Sequence, residues 1–376
     1  MTLFVYPELD ILTPRSIRVN NITKILKLEF GIDLKIAKYK LTNRDAKNSY
    51  FFSSSWKYKL IKKIKLSFFI RKLFPRLILP DFNNLFINEN INNIFHFIEN
   101  NEVKNIVIVV YPFSSYKMVK KVRLKFTDLN IILDIGDPLY KNSDKLRVEK
   151  EELNFELEKE AIENTTSMIV TNLMTKNFYV NTYEIEAKNI KIIPQGVDIK
   201  IVNSLKIKNK LEPDKKIKLI YSGIFYEGLR DPENLFNALC TNSNFTFDVY
   251  GSSMKKVIKN VFFYERVSQE KLFLKMFKMD ILVFIDNAYG IQTSGKIYEL
   301  LAFKKPILFL YSNENSETIS NMNSFDNIFF IKNDLFSISN FFSKTTRKTL
   351  SKLEYNYDIN ELSWAKRAND YMKLLK

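Results

Sequence analysis

Four residues of one segment, Ser294, Gly295, Lys296 and Glu299, have the types and spacing to bind an anion that carries hydroxyl groups. The sequence predicts a helix that starts at Ser294-Gly295, and such a start accepts a phosphate through unpaired N–H groups and partial positive charge. Lys296 adds a full positive charge, and Glu299, one turn on, is placed to accept hydrogen bonds from vicinal hydroxyls such as those of a ribose. The alternative interpretation is a capping serine with an acidic residue that complements the helix dipole.

A second segment predicts a strand that ends at Gly223, followed by a loop that carries Gly228 and Arg230. Asp at the N-cap and Pro at the first helical position, in Asp231-Pro232, predict a helix start directly after this loop. Arg230 is therefore placed to form bidentate hydrogen bonds to a diphosphate. Alternatively, Arg230 pairs with Asp231 or Glu233 at the surface.

The elements that must position these residues are short apolar runs that alternate with helical patterns in both halves of the chain. Apolar runs without polar interruption, such as residues 106–110, are typical of parallel strands covered on both faces, so the alternation predicts doubly wound α/β domains. Strands of the first half are predicted at Leu3–Tyr6, Leu34–Tyr39, Asn105–Tyr111, Asn130–Ile135, Ser167–Thr171 and Lys191–Pro194. Strands of the second half are predicted at Lys218–Gly223, Phe245–Gly251, Asn260–Tyr264, Asp280–Ile285 and Pro306–Tyr311.

The length of 376 residues exceeds what one hydrophobic core usually supports, which predicts two domains. The polar, lysine-rich stretch 198–216 interrupts the strand–helix rhythm and is predicted to link a first domain, residues 1–197, to a second, residues 217–359. A final helical pattern covers residues 360–376. Most glycines fall in predicted strand-to-helix loops, which is where open α/β sheets bind ligands.

Several classes of protein are disfavoured by composition. Cys240 is the only cysteine, which excludes an internal disulfide framework and fits a reducing compartment. No run of about 18 apolar residues occurs, so we expect a cytoplasmic protein that does not span a membrane. His96, the only histidine, lies in a predicted helical run, which argues against a Ser-His-Asp hydrolase and a His/Cys zinc site.

Positive charge is concentrated near the N-terminus. Residues 1–126 contain 23 Lys and Arg against 9 Asp and Glu, whereas residues 127–376 contain 35 against 33. Residues 53–80 hold eight Lys and Arg and no acid, interleaved with aromatic and aliphatic residues, which predicts peripheral binding to an anionic membrane surface. The residues expected at that surface are Trp56, Lys62, Lys63, Lys65, Arg71 and Lys72. The alternative is an ordinary amphipathic helix with a solvated lysine face, while a nucleic-acid partner is not expected because no recognisable binding module is present.

Motifs in order along the chain resemble those of the GT-B glycosyltransferases, in particular bacterial members similar to the retaining family 4. The second half contributes Ser222-Gly-Ile-Phe-Tyr-Glu-Gly-Leu-Arg-Asp-Pro232, Val249-Tyr-Gly-Ser252 and Ser294-Gly-Lys-Ile-Tyr-Glu-Leu-Leu-Ala-Phe-Lys-Lys-Pro-Ile-Leu308, and the first half contributes Leu133-Asp-Ile-Gly-Asp-Pro138 and Ile192-Ile-Pro-Gln-Gly-Val-Asp198. The resemblance spans nearly the whole chain. It implies two Rossmann-like domains that face each other across a cleft, with the helix of residues 360–376 crossing back to the first domain.

The resemblance also implies a site for a nucleotide-sugar donor in the second domain. Glu299 would hold the donor ribose, Lys296 and Arg230 would neutralise the diphosphate, and Val267 falls where family members contact the base through the backbone. The full set of implied donor-binding residues is Gly223, Tyr226, Gly228, Arg230, Gly251, Val267, Ser294, Gly295, Lys296 and Glu299. Two cations and a helix start suit a departing nucleoside diphosphate, because stabilising its charge is the main electrostatic task of glycosyl transfer.

On the acceptor side, the resemblance points to Arg15, Asp134 and Asp137. Asp134 or Asp137 is a candidate base for the acceptor hydroxyl, and the alternative for each is a helix cap or a pairing with lysine. One position departs from the family pattern: Ile291 stands eight residues before Glu299, where family 4 often has a second acid. Retention is the expected stereochemistry, and the departure leaves inversion open.

The resemblance therefore implies a hexosyltransferase that moves a sugar from a nucleotide-sugar to a glycan or lipid-linked acceptor in the synthesis of bacterial lipopolysaccharide, capsule or exopolysaccharide. Since no Asp-x-Asp motif occurs, we expect neither a metal nor another cofactor. Sugar-nucleotide epimerases share the fold but depend as a class on a histidine. The alternative from another class is a catalytically silent GT-B subunit that binds a glycan or a partner enzyme.

Overall fold

The computed structural model describes residues 1–6, 13–39, 49–52, 80–81, 83–141, 151–205, 216–252, 258–289, 294–353 and 355–375. The chain divides into two compact units, one formed by Met1–Pro194 with Trp364–Lys376 and the other by Gln195–Ser363. Each unit contains one parallel sheet with helices on both faces.

The sheet of the first unit consists of β1 (Thr2–Val5), β2 (Leu34–Tyr39), β3 (Ser49–Phe52), β4 (Asn105–Val110), β5 (Asn130–Ile135), β6 (Ser167–Val170) and β7 (Ile190–Ile192). Its strand order is β3-β2-β1-β4-β5-β6-β7, and all neighbouring pairs are parallel. The order reverses between β1 and β4. In open α/β sheets, ligands bind beyond the carboxyl ends of the strands at such a reversal.

The sheet of the second unit consists of β8 (Ile217–Ser222), β9 (Phe245–Tyr250), β10 (Val261–Tyr264), β11 (Ile281–Ile285), β12 (Ile307–Tyr311) and β13 (Ile328–Lys332). Its order is β10-β9-β8-β11-β12-β13, again parallel throughout. The reversal here lies between β8 and β11. Both units therefore repeat one topology, and the predicted doubly wound α/β class is confirmed.

The described helices are numbered along the chain. They are α1 (Pro14–Leu28), α2 (Asn83–Asn100), α3 (Tyr116–Lys125), α4 (Glu151–Glu163), α5 (Leu173–Tyr183), α6 (Ile199–Ser204), α7 (Glu233–Thr241), α8 (Gln269–Phe277), α9 (Lys296–Leu301), α10 (Glu317–Met322), α11 (Leu335–Lys344), α12 (Arg347–Leu350) and α13 (Trp364–Met372). Short 3₁₀ helices occur at Phe113–Ser115, Ala187–Asn189 and Ile359–Leu362. No helix among the described residues is long and apolar enough to cross a membrane.

Both faces of each sheet are buried, because successive side chains of a strand point to opposite faces. In β1, Leu3 and Val5 join a core with α2, α3, α4 and α5, whereas Phe4 joins a separate core with α1 and α13. In β8, Leu219 packs with α7 and α11, whereas Ile220 packs with α8 and α9. This two-sided burial explains why the strands are apolar throughout.

All eleven predicted strands are present, and β2 and β5 have the predicted bounds. The two strands that the sequence did not predict, β3 and β13, both lie at an edge of their sheet. One helix start is shifted by a residue: Pro232 occupies the N-cap of α7, so the prediction of Asp231 as N-cap was wrong. Asp231 still supports the start of the helix, because its Oδ1 accepts a hydrogen bond from the N–H of Glu233 at 2.9 Å.

Candidate functional site

Two glycines, Gly223 and Gly251, directly follow the neighbouring strands β8 and β9 at the carboxyl edge of the second sheet. The N–H of Gly223 donates to the carbonyl of Tyr250 at 2.9 Å, and the N–H of Gly251 donates to the carbonyl of Tyr264 at 3.1 Å. Gly251 has a φ of +90°, a conformation that favours glycine. The Ser252 hydroxyl donates to the Gly223 carbonyl at 2.7 Å. These hydrogen bonds fix the backbone at the ends of β8 and β9. Gly223 and Gly251, both predicted to bind the donor, carry no side chain of their own over this backbone.

Arg230 connects the loops on the two sides of the reversal in the second sheet. Its Nε donates to Oδ1 of Asn287, which follows β11, at 2.6 Å. The Ala288 N–H donates to the Leu229 carbonyl at 2.9 Å, which joins the same two loops through the backbone. Among the described residues, no carboxylate lies within ion-pair distance of Arg230, so the pairing with Asp231 or Glu233 considered from the sequence does not occur. The guanidinium instead lies 5.9 Å from the ring of Tyr226, another predicted donor-binding residue in this loop.

Gly228 has a φ of +71° in the same loop, with no described heavy atom within 4 Å of the position a Cβ would take. Behind the loop, burial raises the pKa of Tyr221, although the neighbouring Arg230 guanidinium opposes the shift. The Tyr221 ring stacks on Phe225 at 4.6 Å between centroids. The loop that carries Arg230 is therefore anchored by the stacking of Tyr221 on Phe225 and by the hydrogen bond from Arg230 to Asn287.

Lys296 and Glu299 form an ion pair on the first turn of α9, with Nζ and Oε2 2.8 Å apart. Their side chains are 30% and 20% exposed, so a ligand can reach both. Gly295 is the N-cap and makes no side-chain capping bond, so the capping role considered for Ser294 does not occur. A Cβ at Gly295 would lie 3.0 Å from Cβ of Gln195, so a larger residue at this helix start would crowd the Gln195 side chain.

Val267 lies three residues after β10 at the same edge of the sheet. Its side chain is partly buried and packs against the core that includes α8 and α9. Close by, the rings of Tyr250 and Tyr264 stack at 4.8 Å. Every predicted donor-binding residue therefore lies at the carboxyl edge of the second sheet, after β8, β9, β10 or β11.

Asp286 is a residue of this edge that the sequence interpretation missed. It directly follows β11, is only 4% exposed, and accepts a hydrogen bond from the Ser316 hydroxyl at 2.6 Å. Burial raises its pKa, and the bond from Ser316 opposes this shift. The sequence does contain a pattern that could have identified it, because Asp286 immediately follows the five apolar residues of β11.

On the first unit, Asp134 at the end of β5 is fully buried between two arginines. Its Oδ1 accepts from Nη1 of Arg15 and its Oδ2 from Nε of Arg18, each at 3.1 Å, and the Tyr371 hydroxyl also donates to Oδ2. Burial raises the pKa of Asp134, but the charges of Arg18 and Arg15 outweigh it and leave the pKa below its ordinary value. A buried carboxylate with a lowered pKa suits a structural ion pair better than a base.

Asp137 differs from Asp134 because it is exposed, in the loop after β5. This loop is held by Glu158 of α4, a carboxylate that is 0% exposed. Glu158 accepts hydrogen bonds from the N–H groups of Leu139 and Tyr140 and from the hydroxyls of Tyr116, Tyr179 and Tyr183, at 2.6 to 3.0 Å. The sequence did not reveal this network, which anchors the segment directly after Asp137.

The remaining predictions concern other parts of the chain. The predicted membrane-surface residues Trp56, Lys62, Lys63, Lys65, Arg71 and Lys72, together with Ile291, lie outside the described residues. His96 has a side chain that is 72% exposed on α2, where it faces Glu99 at 3.6 Å. Within the described ranges, no group of three His, Cys, Asp or Glu side chains is placed to hold a metal ion.

No protein-family model matches this chain, and no curated protein sequence matches it either. Solved structures do match. Sucrose-phosphate synthase from Thermosynechococcus elongatus has a TM-score of 0.64 at 14% identity, over 100% of this chain and 94% of its own. The lipopolysaccharide outer core galactosyltransferase WaaB has a TM-score of 0.63 at 14% identity, over 99% of both chains.

A third structure belongs to another class of enzyme. UDP-GlcNAc 2-epimerase from Neisseria meningitidis, solved bound to UDP-GlcNAc, has a TM-score of 0.57 at 13% identity over 99% of this chain and 98% of its own. At such identities the similarity shows the fold alone. The chain has the GT-B fold, which glycosyltransferases share with these epimerases.

Proposed function

We propose that this protein is a glycosyltransferase that binds a nucleotide-sugar at the carboxyl edge of its second sheet. The observation that carries the proposal is that Arg230 lies on the loop after β8 and the Lys296–Glu299 pair lies on α9, the helix after β11. β8 and β11 are the two strands at the reversal. Cationic groups there match a diphosphate, and an accessible carboxylate matches ribose hydroxyls. A diphosphate and a ribose are the two parts common to all nucleoside-diphosphate sugars.

In the proposed reaction, the bond between the anomeric carbon and the diphosphate oxygen breaks, and the electron pair leaves with the nucleoside diphosphate. Arg230 and Lys296 stabilise the negative charge that develops on this leaving group. Glu299 accepts hydrogen bonds from the ribose hydroxyls, which releases Lys296 toward the phosphates. The acceptor hydroxyl bonds to the anomeric carbon and loses its proton, for which exposed Asp137 is a better candidate than buried Asp134.

With two cationic side chains facing the leaving group and no Asp-x-Asp motif in the sequence, we propose a hexosyltransferase that requires no metal. Retention is the stereochemistry we propose, on the strength of the family resemblance. The similarity to a lipopolysaccharide galactosyltransferase supports a glycan or lipid-linked acceptor in bacterial surface polysaccharide synthesis.

We further propose that the protein works at the cytoplasmic face of the membrane as a peripheral protein. The sequence of residues 53–80, with eight basic residues and no acid, supports this location. Cosedimentation with vesicles of phosphatidylglycerol, compared with vesicles of phosphatidylcholine, tests it. Binding that is equal for the two vesicle types would contradict an electrostatic membrane surface.

The donor site is tested by thermal melting with UDP, GDP, CDP and ADP. A ligand at about 100 times its Kd stabilises the folded state by about 2.7 kcal/mol, which raises Tm by several degrees. One nucleotide should raise Tm in the wild type but not in Glu299→Ala. Asp370→Ala is the matched control, because Asp370 and Lys373 form a carboxylate–lysine pair with the same spacing of three residues, and Asp370 is 26% exposed.

Turnover is then measured with the sugar conjugates of the nucleotide that binds, by release of the nucleoside diphosphate. Binding without release from any sugar conjugate would support the second candidate, a catalytically silent GT-B subunit. The burial of Asp134 between two arginines favours that candidate, because it removes one of the two acids considered as bases. An epimerase is disfavoured because the only histidine of the chain lies exposed on α2.

A further inference from the structure

The carboxyl edge of the first sheet buries two arginines around a single carboxylate. Arg15 and Arg18, both on α1, each bind Asp134 at 3.1 Å, and their side chains are 14% and 1% exposed. Among the described residues, Asp134 is the only carboxylate within ion-pair distance of either arginine. Within the described ranges, the cluster therefore carries one positive charge that no carboxylate compensates, which is unfavourable at a buried position.

The uncompensated charge belongs to Arg15. Each of the three guanidinium nitrogens of Arg18 donates a hydrogen bond: Nε to Asp134, and Nη1 and Nη2 to the carbonyls of Pro194 and Ile193 at 2.8 Å. To the part of the chain that the structure describes, Arg15 donates only from Nη1, to Asp134. Its Nη2 is buried and has no hydrogen-bond partner among the described residues. A buried donor without an acceptor is rare and costs free energy. A ligand that supplies an acceptor atom to Nη2 of Arg15 would remove this cost.

Gly136 provides the surface on which the Arg15 guanidinium lies. A Cβ at residue 136 would be 2.4 Å from Nη2 and 2.6 Å from Cζ and Nε. Any side chain at this position would therefore displace the Arg15 guanidinium from where it lies. Gly136 follows β5, next to the exposed Asp137, so the guanidinium lies beside the loop that we assign to the acceptor.

Two further features favour an anion at Arg15. It is the second residue of α1, a helix of 15 residues, so it lies in the partial positive charge of the helix N-terminus. It also keeps 14% of its side chain exposed, whereas Arg18 keeps 1%, so Arg15 is the arginine that a ligand can reach.

We propose that Arg15 binds a phosphoryl group carried by the acceptor substrate. The anion supplies the acceptor atom that Nη2 lacks and neutralises the remaining charge, and its several oxygens match the planar fork of a guanidinium. That the ligand is an acceptor substrate rests on the proposed transferase function. That Arg15 binds a phosphoryl group does not depend on it. The group could come from a soluble sugar phosphate or from a lipid pyrophosphate.

The test is isothermal titration with two phosphorylated probes and their neutral counterparts. Glucose 6-phosphate and glucose represent the soluble source, and farnesyl pyrophosphate and farnesol represent the lipid source, with UDP in excess throughout. At least one phosphorylated probe should bind the wild type about tenfold more tightly than its neutral counterpart, as expected for one charge-assisted pair. Arg15→Gln should lose this preference, and the probe that shows the preference identifies the source.

Gly136→Ala is the second variant, because it displaces the guanidinium while leaving every ionisable group in place. It should lose the same preference, and it keeps the test valid if Arg15→Gln fails to fold. Arg123→Gln is the matched control, since Arg123 lies on α3 of the same unit and bonds to the carbonyls of Leu129 and Asn164, and it should bind as the wild type does. The inference is overturned if the wild type shows no preference for either phosphorylated probe, or if Gly136→Ala retains it. Failure of UDP to bind in a separate titration would count against the donor site alone.

Discussion

Nε of Arg230 lies 2.6 Å from Oδ1 of Asn287, and this hydrogen bond spans the reversal of strand order in the second sheet. It fixes the orientation of the guanidinium before any ligand arrives. A cation on a loop would otherwise lose side-chain freedom on binding, and that loss weakens affinity. Asn287 thus acts on the proposed diphosphate site through Arg230.

Asn287→Ala should weaken UDP binding about tenfold, because a hydrogen bond to a charged group contributes about 1.5 kcal/mol or more. Arg230→Lys should weaken it further, since lysine lacks the bidentate fork. Isothermal titration measures both. Asn88→Ala is the control, because Asn88 accepts a comparable bond from Lys121 at 2.8 Å in the first unit. Unchanged affinity in Asn287→Ala would mean that Arg230 is not oriented by this bond.

The buried carboxylate of Glu158 should be important for stability. Glu158→Gln retains the size of the side chain but offers one acceptor oxygen to the five donors that now bind the carboxylate. Each buried donor left without an acceptor costs about 1–3 kcal/mol, so the free energy of unfolding should fall by at least about 2 kcal/mol. Urea denaturation measures this change.

Tyr183→Phe is the graded control for that substitution. It removes a single donor, the hydroxyl that lies 2.8 Å from Oε2 of Glu158, and should cost only about 1 kcal/mol. If Glu158→Gln and Tyr183→Phe have the same effect, the charge of the carboxylate is not what holds the loop after β5.

The sequence predicted the fold well because the strongest signal in this chain is local. Parallel strands covered on both faces are apolar along their whole length, and residues 106–110 and 281–285 show this pattern directly. The position of the loops after such strands follows from the strand pattern, so Gly223, Arg230 and Gly251 could be placed after β8 and β9 from the sequence. Their role in donor binding stays a prediction. Edge strands such as β13 gave a weaker signal because they are only partly buried.

The side-chain networks could not be predicted, because they join residues that are far apart in the chain. Asp134 meets Arg15 and Tyr371 across 119 and 237 residues, and no periodicity reveals which side chains meet there. The pairing of Lys296 with Glu299 is local, yet the sequence suggested separate ligand-binding roles for the two. Hydrophobic patterns report which face a residue occupies, but not its polar partner.

Tyr371→Phe should destabilise the first unit. The Tyr371 hydroxyl donates to the fully buried Asp134, and its ring stacks on Phe4 of β1 at 6.3 Å between centroids. Phenylalanine preserves the packing and removes one bond to a buried charge, which should cost about 1–3 kcal/mol. Urea denaturation checks this value, and UDP affinity should stay at the wild-type level because the donor site belongs to the other unit. A variant as stable as the wild type would show that Arg15 and Arg18 satisfy Asp134 on their own.

Asp286 should make stability depend on pH with a sign opposite to that of most carboxylates. Burial raises its pKa in the folded state, so the folded protein holds this proton more tightly than the unfolded chain does. The associated stability is complete below the ordinary carboxyl pKa of 3.8 and is lost as the pH rises through the raised value. Asp286→Asn cannot ionise, and its asparagine can still accept the bond from Ser316. Its free energy of unfolding should therefore rise relative to the wild type as the pH increases from 4 to 8.

Asp334→Asn is the matched control with the opposite sign. Asp334 accepts a bond from the Ser337 N–H at 2.7 Å as the N-cap of α11, and this bond lowers its pKa. Its contribution to stability is therefore present above the ordinary carboxyl pKa and lost as the pH falls through the lowered value. Urea denaturation at several pH values should show Asp334→Asn losing stability relative to the wild type toward neutral pH, while Asp286→Asn gains it. If both variants change in the same direction, the burial of Asp286 does not control its proton affinity.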